Sequence, residues 1–119
     1  MGYTETADQP TDPAMQIRIR QTSACTIIEL SGRLDTTTAP DVFRRCEAEV
    51  VSLPLLMDCG EIEYVSSAGL RSFLQLAKLV QKKIGSSLTL CRVGGMLAEL
   101  LVISGLDRVF RVIPGPDDF

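Results

Sequence analysis

Leu55-Leu-Met-Asp-Cys59, closed by Pro54 on one side and Gly60 on the other, is a short apolar run of the length expected for a β-strand buried on both faces. Such a strand belongs at the centre of a sheet, with covering helices supplied by its sequence neighbours. Upstream, Ala39, Val42, Phe43, Cys46 and Val50 recur at helical spacing, behind a Thr38 cap and a first turn holding Pro40 and Asp41, and Leu53-Pro54 ends that helix. Earlier still, Met15–Arg20 alternates apolar with polar, and Ala24–Leu30 is rich in β-branched residues. The polar Gln21-Thr-Ser23 between them predicts an antiparallel hairpin whose second strand ends in Ser31–Asp35.

Downstream, Gly60–Val65 reads as a loop. A helix follows from about Ser67 to Lys83, with Leu70, Phe73, Leu74, Ala77 and Ile84 inward and its lysines at the C-terminal end, where the helix dipole favours them. Ser87–Val93 is a further strand, Gly95–Ser104 a very apolar helix closed by Gly105, and Arg108–Ile113 the last strand. The order ββαβαβαβ implies an α/β fold. Its strand–helix–strand crossovers require parallel pairing with right-handed connections, giving a mixed sheet with helices largely on one face and the hairpin at its edge. Residues 1–14, poor in aliphatic side chains, are expected to be a flexible leader, and residues 15–119 the folded domain.

With 119 residues the chain can bury roughly two-thirds of its unfolded surface without disulfide or metal staples. A net charge of −3, from 12 Lys+Arg against 15 Asp+Glu, lacks the electrostatic footprint of a protein that binds nucleic acid or an anionic membrane. Histidine is absent, which excludes Ser-His and Cys-His nucleophiles and histidine-ligated zinc. Cys25, Cys46, Cys59 and Cys91 form no CxxC pair and sit in apolar segments, as small core residues do. With no signal-like start and no membrane-length apolar run, the expected location is the reducing cytoplasm. Asp58, inside the central run, is expected to satisfy backbone donors or cap the following loop rather than to act as acid or base.

The turn Tyr64-Val-Ser66-Ser67-Ala68-Gly69-Leu70-Arg71 is the stretch richest in functional possibility. Ser66 fits an N-cap, and Gly69 allows tight packing against the strand. A phosphoryl group on Ser67 would meet the positive end of the helix dipole and add about −1.5 to −2 charges to a small surface. Arg71, four residues on, shares that face and can pair with such a phosphate or with an acidic partner, or stand simply exposed.

Three blocks, Leu30-Ser-Gly-Arg-Leu-Asp35, the Tyr64–Arg71 turn and Ile103-Ser-Gly-Leu-Asp-Arg-Val-Phe110, occur in the order and spacing that resemble a STAS domain of the anti-sigma factor antagonist type. That resemblance implies a binding module without catalysis or cofactor of its own. Its partner is a histidine-kinase-like ATP-binding protein that is both anti-sigma factor and serine kinase. The unmodified antagonist sequesters the partner, the phosphorylated one lets go, and a metal-dependent serine phosphatase resets the switch. The family's D-S-S-G pattern places the phosphorylated serine on Ser67 and puts Ser66 where aspartate often stands. It brings Asp35, Ser66, Ala68, Gly69 and Arg71 into the partner surface; Asp35 is alternatively a turn-capping acid.

Two other readings share these residues. One is a STAS adaptor for a secretion, cyclase or transporter complex; the other is a nucleotide- or small-molecule-binding domain using the helix N–H groups at Ser66–Gly69, without a GxGxxG or P-loop pattern to support it. The apolar helix containing Met96, Leu97, Leu100, Leu101, Val102 and Ile103 has a hydrophobic arc wider than one buried face needs. Deep packing is the expectation, with Ala98 and Val102 as part of a partner surface the alternative.

Overall fold

A computed structural model describes residues 15–119; the expected leader, residues 1–14, lies outside the described residues. Five strands, β1 (Met15–Gln21), β2 (Thr26–Leu34), β3 (Leu55–Val65), β4 (Thr89–Cys91) and β5 (Arg111–Ile113), form one sheet in the order β1-β2-β3-β4-β5. β1 pairs antiparallel with β2, and every later pair is parallel. The helices α1 (Ala39–Glu47), α2 (Ser67–Lys83) and α3 (Gly95–Ser104) are the crossovers. Because each parallel strand is added on the same side of the last, right-handed crossovers deliver all three helices to one face.

The main core lies on that face, where Ile28, Leu30, Leu55, Met57 and Leu90 of the sheet meet Val42, Cys46, Phe73, Leu76, Val80 and Leu101 of the helices. Phe73 and Phe110 meet edge to face, 6.4 Å between centroids. A smaller cluster of Cys25, Ile27, Leu56 and Cys91 fills the other face, with Ile113 and Phe119 packed against it. Every residue of Leu55–Cys59 is buried, as a central strand covered on both faces requires. All four cysteines are buried free thiols. Burial pushes Cys91 up to about 11 and Cys46 to about 12, which leaves them as packing groups.

Several boundaries depart from the sequence expectation, each for a local reason. Gly60–Val65 is strand, not loop: Glu61, Ile62, Tyr64 and Val65 pair with Ser31, Gly32, Arg33 and Leu34, so β2 and β3 both run on past the body of the sheet, through register shifts at Glu29/Ser31 and Gly32/Arg33. Thr38 occupies the N-cap of α1 but makes no side-chain cap; its hydroxyl donates to the Arg33 carbonyl at 2.8 Å and accepts from the Asp35 N–H at 2.9 Å. α1 ends at Glu47, although Val50 beyond it is still buried. β4 and β5 are three residues each, shorter than the apolar runs that contain them. Leu76 and Val80 join Leu70, Phe73 and Ala77 on the buried face of α2, while Leu74 and Ile84 lie only part-buried.

The deep packing expected of the apolar helix is not found. α3 buries only Leu97 and Leu101, and leaves Val102 68% and Ile103 81% exposed. α3 packs one face against β3 and the turn that follows the helix, and its other faces stay open.

Candidate functional site

In a parallel sheet the carboxyl ends of the strands share one pole, and the β-to-α turns collect there. Here those turns are Asp35–Thr38 after β2, Ser66 after β3 and Arg92–Gly94 after β4. The long β2–β3 ladder carries the first two side by side: the Ser66 N–H donates to the Leu34 carbonyl at 2.9 Å. Asp35 and the Ser66-Ser67 turn, distant in sequence, are thereby neighbours.

Ser66 has extended backbone (φ −95°, ψ 175°), and its hydroxyl accepts from the Gly69 N–H at 3.3 Å, which makes it the N-cap of α2. Ser67 is the first helical residue. Its side chain is exposed and takes part in no hydrogen bond with the described residues. Ala68 is part-buried, and Gly69 is buried because α2 starts hard against β2: a Cβ at Gly69 would lie 2.5 Å from the Leu34 carbonyl oxygen and 2.7 Å from Leu34 Cγ. Arg71, one turn on, is exposed and forms no ion pair among the described residues.

Asp35 performs the turn-capping role. Its Oδ1 accepts from the Thr37 N–H at 3.0 Å and the Thr38 N–H at 3.2 Å, and its carbonyl takes the Ala39 N–H at 2.8 Å. The Thr38 N–H is the main reason its carboxyl sits below the usual 3.8; burial opposes it, and the Thr37 N–H and the Arg33 charge add to the lowering. The acid is therefore a fixed anion at neutral pH, half-buried and beside the serine turn.

Two participants were not assigned a role from sequence. Arg33 lays its guanidinium 4.3 Å from the Tyr64 ring centroid, with Nε 3.6 Å from Asp35 Oδ2, so one cation ties the ends of both long strands. Their shared membership of two motif blocks was visible, but their register was not. On the other flank, a cleft of about 350 Å³ opens between Gly60, Ile62, Tyr64 and Val65 of β3 and Gly94–Leu97 at the start of α3. Arg92 walls it, with Nε and Nη2 donating to the two oxygens of buried Asp58 at 2.8 and 3.0 Å. Asp58 also accepts from the Gly60 N–H at 3.1 Å, the backbone role expected for it, to which the structure adds the ion pair.

Among the described residues no cluster of metal-ligating side chains occurs, and no helix is long and apolar enough to cross a membrane. What the pole offers is a surface that presents the exposed Ser67 hydroxyl at the start of α2.

One helix layer on a five-stranded mixed sheet, with a serine turn at the carboxyl end of its central strand, defines a small α/β domain. Residues 16–118 match the STAS domain, and the chain belongs to that family. It is 28% identical over 100 residues to BtrV of Bordetella bronchiseptica, named as a candidate anti-sigma factor antagonist; the match spans 82% of this chain and 85% of the relative. The crystal structure of an anti-sigma factor antagonist from Mycobacterium paratuberculosis superposes with a TM-score of 0.77 at 21% identity, covering 92% of this chain and 94% of that one. The Bacillus cell fate determinant SpoIIAA in its phosphorylated form superposes with a TM-score of 0.66 at 12% identity, covering 87% and 96%. Both confirm the fold. The first two of these relatives are named as anti-sigma factor antagonists.

Proposed function

We propose that this chain is an anti-sigma factor antagonist switched by phosphorylation of Ser67. In its unmodified state it holds an ATP-binding anti-sigma factor that is also its serine kinase; phosphorylated, it releases that partner, and a serine phosphatase restores it. Kinase and phosphatase supply the chemistry, and the chain itself contributes a cytoplasmic binding surface made of Asp35, Ser66, Ala68, Gly69 and Arg71 around the acceptor.

The observation that carries the reading is the exposed, uncommitted Ser67 hydroxyl at the first position of a 17-residue helix, with its neighbour Ser66 already spent on the cap. A kinase can take Ser67 without unmaking the fold. The phosphate would gain from the helix dipole and from Arg71 one turn on, so the free antagonist tolerates it. In the complex the same dianion would be buried against a surface shaped for a neutral serine and beside the fixed anion of Asp35, at a cost of several kcal/mol. Release then needs no rearrangement of the antagonist.

The test uses Ser67→Ala and Ser67→Asp chains as baits, with bound proteins and the wild-type phosphosite read by mass spectrometry. The alanine bait should retain an ATP-binding kinase-like protein that the aspartate bait loses, and wild-type chain incubated with that protein and Mg-ATP should gain one phosphate on Ser67. Equal retention by both baits, or an unmodified Ser67, refutes the switch.

A further inference from the structure

The topology that gathers the β-to-α turns at one pole sends the α-to-β connections to the other, and that opposite pole has a distinct composition. All the lysines of the chain, Lys78, Lys82 and Lys83, fall in the last turns of α2, which end there. The last turn of α3 brings exposed Val102 and Ile103 to the same pole, and the connections into β3 and β5 bring Val51 at 75% and Val109 at 41% exposure. Arg108, also exposed, lies in the same connection as Val109.

Of these residues Lys78, Lys82 and Val109 line one groove of about 350 Å³, together with Ala77, Gln81, Ser87 and Leu88, so that apolar Ala77, Leu88 and Val109 lie beside the two lysines. Lys78 and Lys82 form no ion pair with any described residue, although the chain as a whole is acidic. An apolar lining beside two uncommitted cations complements a segment with a large apolar side chain flanked by carboxylates. A lipid surface fits less well, because the apolar element is a recess rather than a protrusion, and the net charge of −3 repels an anionic bilayer at a distance.

We infer that this groove between the C-terminal half of α2 and the α3–β5 connection is a second protein-docking site, taking an acidic peptide segment anchored by one apolar side chain. It lies at the pole away from Ser67, so its occupancy is independent of the switch. A chain with two such poles can stay tethered to one protein through the groove while it captures and releases another at the serine turn. Tethering would raise the effective concentration for recapture without strengthening any contact at Ser67.

The probe is a display library of random 12-residue peptides panned on the wild-type chain, with enriched peptides measured by fluorescence anisotropy. Enriched sequences should pair Asp or Glu with a Leu, Ile or Phe anchor. They should bind Ser67→Asp as tightly as wild type, and the double variant Lys78→Glu, Lys82→Glu about tenfold or more weakly. Val109→Ser, which removes the anchor contact without changing charge, should weaken them too. Both lysines are exposed, so the variants keep the fold, and a circular dichroism melt verifies it. No enrichment, peptides indifferent to the lysine reversal, or peptides lost in Ser67→Asp would overturn the proposal. So would lysine-dependent sedimentation with vesicles of phosphatidylcholine and phosphatidylglycerol, or lysine-dependent self-association of the chain. The serine switch and the groove fail separately, since each is read on variants that leave the other pole intact.

Discussion

At the scale of single residues, the serine turn depends on a glycine more than on either serine. Ser66 contributes a cap of about 1 kcal/mol, and alanine there would remove the side-chain acceptor of the Gly69 N–H. Gly69 has no such margin, because the atom 2.5 Å from its virtual Cβ is the backbone oxygen of Leu34, whose neighbour Asp35 is fixed by the turn into α1. A methyl group at Gly69 must push α2 away from β2. Gly69→Ala should therefore destabilise the domain by about 1–3 kcal/mol, the range for overpacking a site that cannot yield, and should weaken partner capture even where the fold survives. The urea midpoint by circular dichroism measures the first effect; a midpoint unchanged from wild type would mean that the contact between α2 and β2 is looser than the geometry shows. Both serines and the glycine were legible in the sequence as a helix start. That Gly69 faces the end of β2, and so brings Asp35 to the serines, was not, because the contact depends on pairing between strands far apart in the chain.

At the scale of elements, the same limit explains the reading of Gly60–Val65 as a loop. Gly60 looks like a strand terminator, yet Glu61-Ile-Glu-Tyr-Val65 carries the period-2 alternation of a strand with one polar face. Gly60 instead lies under the Arg92 guanidinium, and a Cβ there would meet that group's central carbon at 2.6 Å and displace the arginine. Arg92 in turn is the one described non-glycine residue with left-handed backbone, φ 51°, and it keeps this conformation while gripping buried Asp58 with two hydrogen bonds. The pair fixes the exit from β4 and hence where α3 begins. Arg92→Ala should cost about 2–3 kcal/mol, the worth of hydrogen bonds to a buried charge, and Arg92→Gly about 1 kcal/mol less than that, since glycine accepts the left-handed backbone freely. Chemical denaturation of the two variants measures the difference. Equal losses would show that the backbone at Arg92 relaxes when the side chain is removed. The pairing of Asp58 with Arg92, 34 residues apart, leaves no trace in local pattern, so the sequence could place Asp58 in the strand but not name its partner.

At the scale of the whole molecule, the proposed switch is that of a fixed scaffold carrying a chemical mark. The serine turn stands on the long β2–β3 ladder, Ser66 is held by Leu34 as well as by its own cap, and α2 runs from that turn across the main core through Phe73, Leu76 and Val80. Each link in this chain of contacts is a backbone hydrogen bond or a buried apolar contact. Ser67 itself is exposed and bonded to no described residue, so a phosphate there breaks nothing. At the N-terminus of α2 it should add about 0.3–1 kcal/mol to stability through the helix dipole. Phosphorylated and unmodified chains should therefore give the same amide hydrogen exchange across β1, β4, β5 and α3, with slower exchange confined to the first turn of α2, where added order is expected. Hydrogen exchange read by mass spectrometry on the two forms tests this. Altered exchange in α3 or at the groove beside Val109 would show that the mark is transmitted through the fold; exchange unchanged there would mean that release of the partner is decided wholly at the surface where the phosphate sits.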